Sequence, residues 1–122
     1  MADSVLLRAP IRHLLGSHGD SDQWLAALHD DGGTLIPEPF DQSPHFQFGN
    51  DILSPRAAFL PGGRIAIAGI KTCELYRLDR TGPKLLHQYP LDAAAFAVTP
   101  TNHLNEFAVL CEDGVGRVFT MR

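Results

Sequence analysis

Six histidines, fourteen acidic residues, two cysteines and a scatter of serines are the side chains of this 122-residue chain that could take part in a reaction. The densest group is His13, His18 and His29 together with Asp20 and Asp22. The loop string His18-Gly-Asp-Ser-Asp22 could offer one imidazole nitrogen and two carboxylates to a divalent cation, with His29 beside Asp30 close by in sequence, which is the ligand chemistry of metal-assisted hydrolysis. The same letters also describe a polar surface turn. His45, His87 and His103 fall in loops or at strand ends, where histidine needs no special explanation. Ser4, Ser17, Ser21, Ser43 and Ser54 lie in no Gly-x-Ser-x-Gly elbow. Gly62-Gly63 and Gly114-Val-Gly116 open no helix and precede no Gly-Lys-Ser/Thr, so they read as turn glycines and not as phosphate loops. Cys111 precedes Glu112-Asp113, whose charge disfavours a thiolate. Among enzymes, then, the chain leaves one reading open, a small metal-dependent hydrolase with His18, Asp20 and Asp22 as ligands, and it implies no other cofactor.

Charge and length narrow the classes further. The net charge is -4, and Lys and Arg form no cluster, so nucleic acid and anionic membrane surfaces are disfavoured as partners. No apolar run reaches the roughly 18 to 20 residues that span a bilayer, and the first residues lack the basic-then-apolar layout of a signal peptide. A cytoplasmic protein is the expectation. Cys73 and Cys111 are too few and too far apart for a disulfide framework or a zinc site and read as buried free thiols.

The elements that would position any site are short strands. Residues 65–69, Ile-Ala-Ile-Ala-Gly, form an apolar run bounded by turn residues at 61–63 and 71–72, and the run is consistent with a strand buried on both faces. Its small side chains would let neighbouring backbones approach. Residues 73–78 alternate, with Cys73 and Leu75 inside and Glu74 and Arg77 at solvent positions. Further strands are expected over 11–16, 34–36, 84–89, 106–111 and 115–121. Residues 23–28 read as a strand first and as part of a helix from 20 to 29 second; residues 91–98 fit either. Residues 37–55 carry four prolines and read as a long connection with at most one short strand at 45–48.

The pattern repeats. Trp24, Ile65 and Phe107 open apolar runs, and Gly32, Thr72 and Gly114 sit in the turns that follow, at a spacing of about 40 to 45 residues, which is that of propeller blades. Leu60-Pro61 and Thr99-Pro100 precede the second and third runs. Residues 57–69, together with 95–100 and 106–114, resemble the segment of a WD-repeat-like blade in which an apolar strand runs into a proline turn, a small-residue strand and a second turn. Tyr76-Arg77 and Phe119-Thr120 stand where that family has Trp-Asp. The chain also resembles the small propeller-like component that accompanies MoxR-type ATPases and von Willebrand A-domain proteins in bacterial ternary systems, a likeness that implies an accessory role in an ATPase system.

The expected fold is therefore all-β, an antiparallel meander of about three blade-like units with about 9–11 short strands, forming an incomplete propeller or a sandwich. Residues 1–122 are read as one domain, with units at 1–36, 56–91 and 92–122 and the proline-rich connection at 37–55. Three units leave open strand edges, which seek a protein partner or a second copy of the chain. Phe40, Phe46 and Phe48, in the stiff connection, are candidate partner contacts; the competing reading has them cover an open end of the core. The expected function is that of a non-catalytic interaction or scaffold module.

Overall fold

Turn residues cut this chain every five to nine positions, too often for helices and at the right interval for short antiparallel strands. The computed structural model describes residues 10–17 and 23–121. These form eleven strands: β1 (His13–Gly16), β2 (Trp24–His29), β3 (Gly32–Pro37), β4 (Phe46–Phe48), β5 (Arg56–Leu60), β6 (Arg64–Ala68), β7 (Thr72–Asp79), β8 (Gly82–Pro90), β9 (Ala95–Pro100), β10 (Glu106–Cys111) and β11 (Gly116–Thr120). There is no helix among the described residues, and none that could cross a membrane. The fold is all-β. Three antiparallel meanders run β1-β2-β3-β4, β5-β6-β7-β8 and β9-β10-β11, and the second and third are not closed into a barrel.

The second sheet lies between the other two, and β6 shows why. Ile65 and Ile67 pack with Trp24, Leu28, Leu35 and Phe48 of the first sheet, while Ala66 and Ala68 pack with Phe107, Val109 and Cys111 of the third. Alternation with a period of two sends large side chains one way and small ones the other. The small ones matter where the strands converge, for β5 runs beside β9 there. Gly69, the residue after β6, has no room for a side chain: a Cβ there would collide with Ile52 and with the Leu53 carbonyl oxygen. Its own carbonyl accepts the Ala95 N–H at 2.9 Å, a direct tie from the second sheet to the third.

The apolar runs of the repeat hold in position and slip once in facing, while of the three turn residues Gly114 lies in a turn and Gly32 and Thr72 are the first residues of β3 and β7. Trp24, Ile65 and Phe107 all lie on the second strand of their sheets. Ile65 and Phe107 point back at the preceding sheet, but Trp24 points forward at the second sheet, so the first unit aligns one residue out of phase. Residues 23–28 are extended, and the helical alternative is overturned because burial on both sides of β2 favours a strand over a two-turn helix. Of residues 91–98, 95–98 belong to β9 and 91–94 are irregular, with no helix.

Residues 37–55 are less of a free connection than their prolines indicate. Their one strand, β4, is the fourth of the first sheet. Ile52 and Pro55 are buried, and the Ser54 N–H donates to the Asp30 carbonyl at 2.9 Å.

Because Phe107 fills the space between two sheets, Phe107→Ala should lower stability by about 3–5 kcal/mol, whereas Ile67→Val should cost only about 1 kcal/mol. Urea unfolding followed by tryptophan fluorescence measures both. Equal losses would mean that the third sheet is not packed on the second as described.

Candidate interaction surface

The residues singled out for chemistry do not converge. His18, Asp20 and Asp22 lie outside the described residues. His29 is buried, and both ring nitrogens are engaged: Nδ1–H donates to the Pro10 carbonyl, since a carbonyl can only accept, and Nε2 meets Thr34 Oγ1, both at 2.9 Å. Asp30 is occupied by Arg12, whose Nε donates to it at 2.7 Å, and this guanidinium holds the Asp30 carboxyl below the usual carboxylate range. His13, His45, His87 and His103 are exposed on separate elements. Among the described residues, no three His, Cys, Asp or Glu side chains are grouped to hold a metal ion.

Glu74 corrects a sequence expectation. Placed at a solvent position by alternation, it is buried on the face of β7 turned toward the first sheet. Alternation there assumed one wet face, and the second sheet has none at that point. Both carboxylate oxygens accept hydrogen bonds, Oε1 from the Tyr76 hydroxyl and Oε2 from Gln88 Nε2, each at 2.6 Å; the Tyr76 oxygen accepts in turn from the Gly49 N–H at 3.0 Å. A buried carboxylate is tolerated only when satisfied in this way. No buried side-chain nitrogen or oxygen among the described residues lacks a partner, so this network is a closed tie between two sheets and not an open reaction site.

The cysteines are equally quiet. Cys73 and Cys111 are free thiols in the core shared by the second and third sheets. Burial, followed by the charges of Glu74 and Cys111, pushes the Cys73 thiol up to about 12. Such a thiol is no nucleophile at neutral pH.

The three phenylalanines of residues 37–55 part company. Phe48 is 1% exposed and meets the Tyr76 ring edge-on, with 5.7 Å between centroids. As a partner contact it is corrected, because the stacking of the second sheet on the first draws this position into the core. Phe46 is half-buried, 6.2 Å from Trp24 and set against Gly82 on β8. Phe40 is also half-buried. Phe48 and Phe46 cover the core, and Leu53 is the strongly exposed large apolar residue of this segment.

Exposed large apolar side chains occur singly on the first two sheets and their connections, as at Leu14, Leu53 and Leu85, and gather on the third sheet and its turns, at Phe96, Leu104, Leu110, Val115 and Val118. Phe107, Val109 and Cys111 of β10 point inward, so the intervening Ala108 and Leu110 point outward, with Ala97 and Val118 beside them in register. Val118 is 61% exposed and Leu110 43%; Phe96, the extra residue at the β9 irregularity opposite Cys111, is 61% exposed. Glu106 is the one charged residue in these strands on the outward side, at the far end of β10 and hydrogen-bonded by Thr101 Oγ1 at 3.2 Å. The outer edge of the same sheet is β11. The flanking bonds Cys111 N–H to Val115 O and Met121 N–H to Asn105 O set the phase of the ladder: Arg117 and Phe119 turn their backbone groups to β10, and Gly116, Val118 and Thr120 turn theirs to the open side. The sequence signal for this surface was present in the apolar residues at both parities of 107–111. It could not be read without knowing that the third sheet is the last one described. Compared with protein-family models and with curated proteins, the chain matches none.

The Tyr76 hydroxyl is also pushed up to about 12, by burial first and by its bond to Glu74 second. In the unfolded chain Cys73 and Tyr76 ionise near 9.0 and 10.0, so between those values and about 12 the folded state holds protons that the unfolded state has lost. Stability should be full below about pH 9 and fall as pH rises toward 12. Urea midpoints measured from pH 8 to 11 test this; Tyr76→Phe should flatten the upper part of the decline, and an unchanged slope would mean that Tyr76 titrates like an exposed tyrosine.

Proposed function

We propose that the protein is a non-catalytic interaction module that binds another protein through its third sheet. The observation that carries the reading is the outer side of that sheet, where Leu110 and Val118 lie exposed, with Phe96 exposed at the β9 irregularity beside them, in a molecule whose two sheet-to-sheet faces are packed. An exposed apolar patch with little charge costs solubility and marks a surface that is covered in use. The open β11 edge adds unpaired backbone groups beside the patch. A rigid scaffold supports such a role, because a surface that does not rearrange loses little entropy on binding. The likeness to the propeller-like component of MoxR ATPase systems supports a partner in an ATPase assembly.

In the absence of a partner the patch should bind the dye 8-anilinonaphthalene-1-sulfonate. The double variant Phe96→Ser/Leu110→Thr should lose that binding, and lose any partner retained by the tagged full chain, with stability changed by no more than about 0.5 kcal/mol, as is usual for surface substitutions. A wild-type chain that binds no dye, retains no partner and stays monomeric at high concentration would refute the proposal.

A further inference from the structure

Among the described residues the first two sheets have four strands and the third has three, and the packing between sheets shows where a fourth would lie. Aromatic packing repeats from one sheet to the next. Phe48, on the fourth strand of the first sheet, packs on Tyr76, on the third strand of the second, with 5.7 Å between centroids. Tyr89, on the fourth strand of the second sheet, packs on Phe119, on the third strand of the third, at 4.6 Å. Tyr76 and Phe119 are thus equivalent positions, as the repeat in sequence implied. The next contact outward is between fourth strands. Phe46 of β4 lies against Gly82 of β8, where an added Cβ would come within 2.9 Å of the Phe46 ring. On the third sheet that contact has no counterpart. Among the described residues β11 pairs with β10 alone, and Gly116, Val118 and Thr120 are exposed; above that edge β8 presents Leu86, His87 and Tyr89 on the side turned toward the third sheet, with His87 exposed.

We infer that the open side of β11 is a docking slot for one extended segment of a partner protein, which adds as the fourth strand of the third sheet. This rests on the interaction-module reading and names the kind of partner. Three observations carry it. The interface between the second and third sheets is already formed along β5 to β8, and a fourth strand continues it without moving any element. The edge is unprotected: β8 carries Pro83 and Pro90 near its ends and Lys84, and β4 is three residues long, whereas β11 has no proline, and its one charged side chain is drawn away. That side chain, Arg117, is 3.2 Å from Asp113 and 3.9 Å from Asp92. Natural edges are guarded by charge, proline or shortness, and this one has none of the three. Finally, the N–H and C=O groups of Gly116, Val118 and Thr120 are spaced to receive a strand, and antiparallel addition repeats the way β8 lies on β7.

The same geometry sets the chemistry of the occupant. Two side chains at positions i and i+2 point toward β8 beside Tyr89 and Leu86, so they are apolar. The residue between them lies next to Val118 on the outer face and is β-branched or otherwise apolar. With Arg117 already neutralised, the slot selects no charged segment.

The full chain, labelled with nitrogen-15, is used with dodecapeptides selected on it from a random phage-displayed library. Before any peptide is added, the amides of Gly116, Val118 and Thr120 should exchange quickly with solvent and those of Arg117 and Phe119 slowly. Selected peptides should share alternating apolar residues, protect the three fast amides and shift the resonances of His87 and Tyr89. Val118→Pro removes an N–H that β10 does not use and should weaken binding at least tenfold. Where that variant also melts earlier, the protection pattern of the unaltered chain decides. Peptides that bind over Phe96 and Leu110 and leave the three amides unprotected would overturn the slot and leave the interaction-module reading standing. Protection that grows with protein concentration in the absence of peptide would overturn it in favour of a second copy of the chain. No enriched peptide, with the three amides fast throughout, overturns the slot; if the dye and partner measurements on the outer face also fail, the module reading falls with it.

Discussion

Four consecutive side chains of β6 divide between two cores, and the rest of the molecule depends on that division. Ile65 and Ile67 fill one side and Ala66 and Ala68 leave room on the other, so a single strand closes the first sheet onto the second and lets the third approach. Any residue that reversed the pattern would place bulk where β5 meets β9 and a void where Trp24 and Phe48 expect a partner. At roughly 25 cal/mol per Å² of apolar surface, with cavity costs added, such a reversal is a loss that a domain of this size cannot absorb. The sheets are therefore stacked by side-chain size.

Much of this was legible in residue order. Turn residues at 61–63, 79–83 and 112–114 marked the hairpins, and the recurrence of Ile65 and Phe107 at the same place in successive units located equivalent strands. Legibility failed where a face was buried that alternation alone would assign to solvent. Glu74 looked like an outward residue because its neighbours Cys73 and Leu75 are inward, yet the second sheet has an inside on both sides there. Phe48 looked like a loop aromatic because prolines surround it, yet it sits on a three-residue strand that pairs Gly33 directly. In both cases the missing knowledge was the order of layers, which is a property of pairs of sheets and leaves no mark on a single strand. The phase slip at Trp24 has the same origin. The first sheet has its described neighbour on one side only, so its large residues point forward where those of the second and third sheets point back.

The polar groups inside the stack show how layers can be fastened without a disulfide or a metal. Glu74, Tyr76, Gln88 and the Gly49 N–H link strands that belong to two sheets, with every buried side-chain nitrogen and oxygen among the described residues satisfied. A satisfied network adds little net stability over an apolar replacement, but it penalises every alternative stacking in which the carboxylate loses a donor. Its contribution is thus to specificity of arrangement. His29, held between Pro10 and Thr34, applies the same constraint to the junction of β1 with β2 and β3.

An array of stacked sheets has a problem that a closed one lacks: each internal interface is satisfied by its neighbour, and the terminal ones are not. At the β1–β4 end, the side turned away from the second sheet carries His29 and Thr34 in a hydrogen-bonded chain and buried Ala27 and Ile36, with Leu14 of the four-residue β1 exposed opposite Ala27. At the β9–β11 end the outward residues are Leu110 and Val118, with Phe96 exposed beside them and an edge that no charge or proline guards. Stacking strength by itself would treat the two ends alike. The difference lies in side-chain chemistry, and it places the unsatisfied apolar surface and the unsatisfied backbone groups on the same sheet. A surface that offers both at once is matched by polypeptide, which brings side chains and a hydrogen-bonding backbone together, better than by a small solute, which could satisfy only one of them.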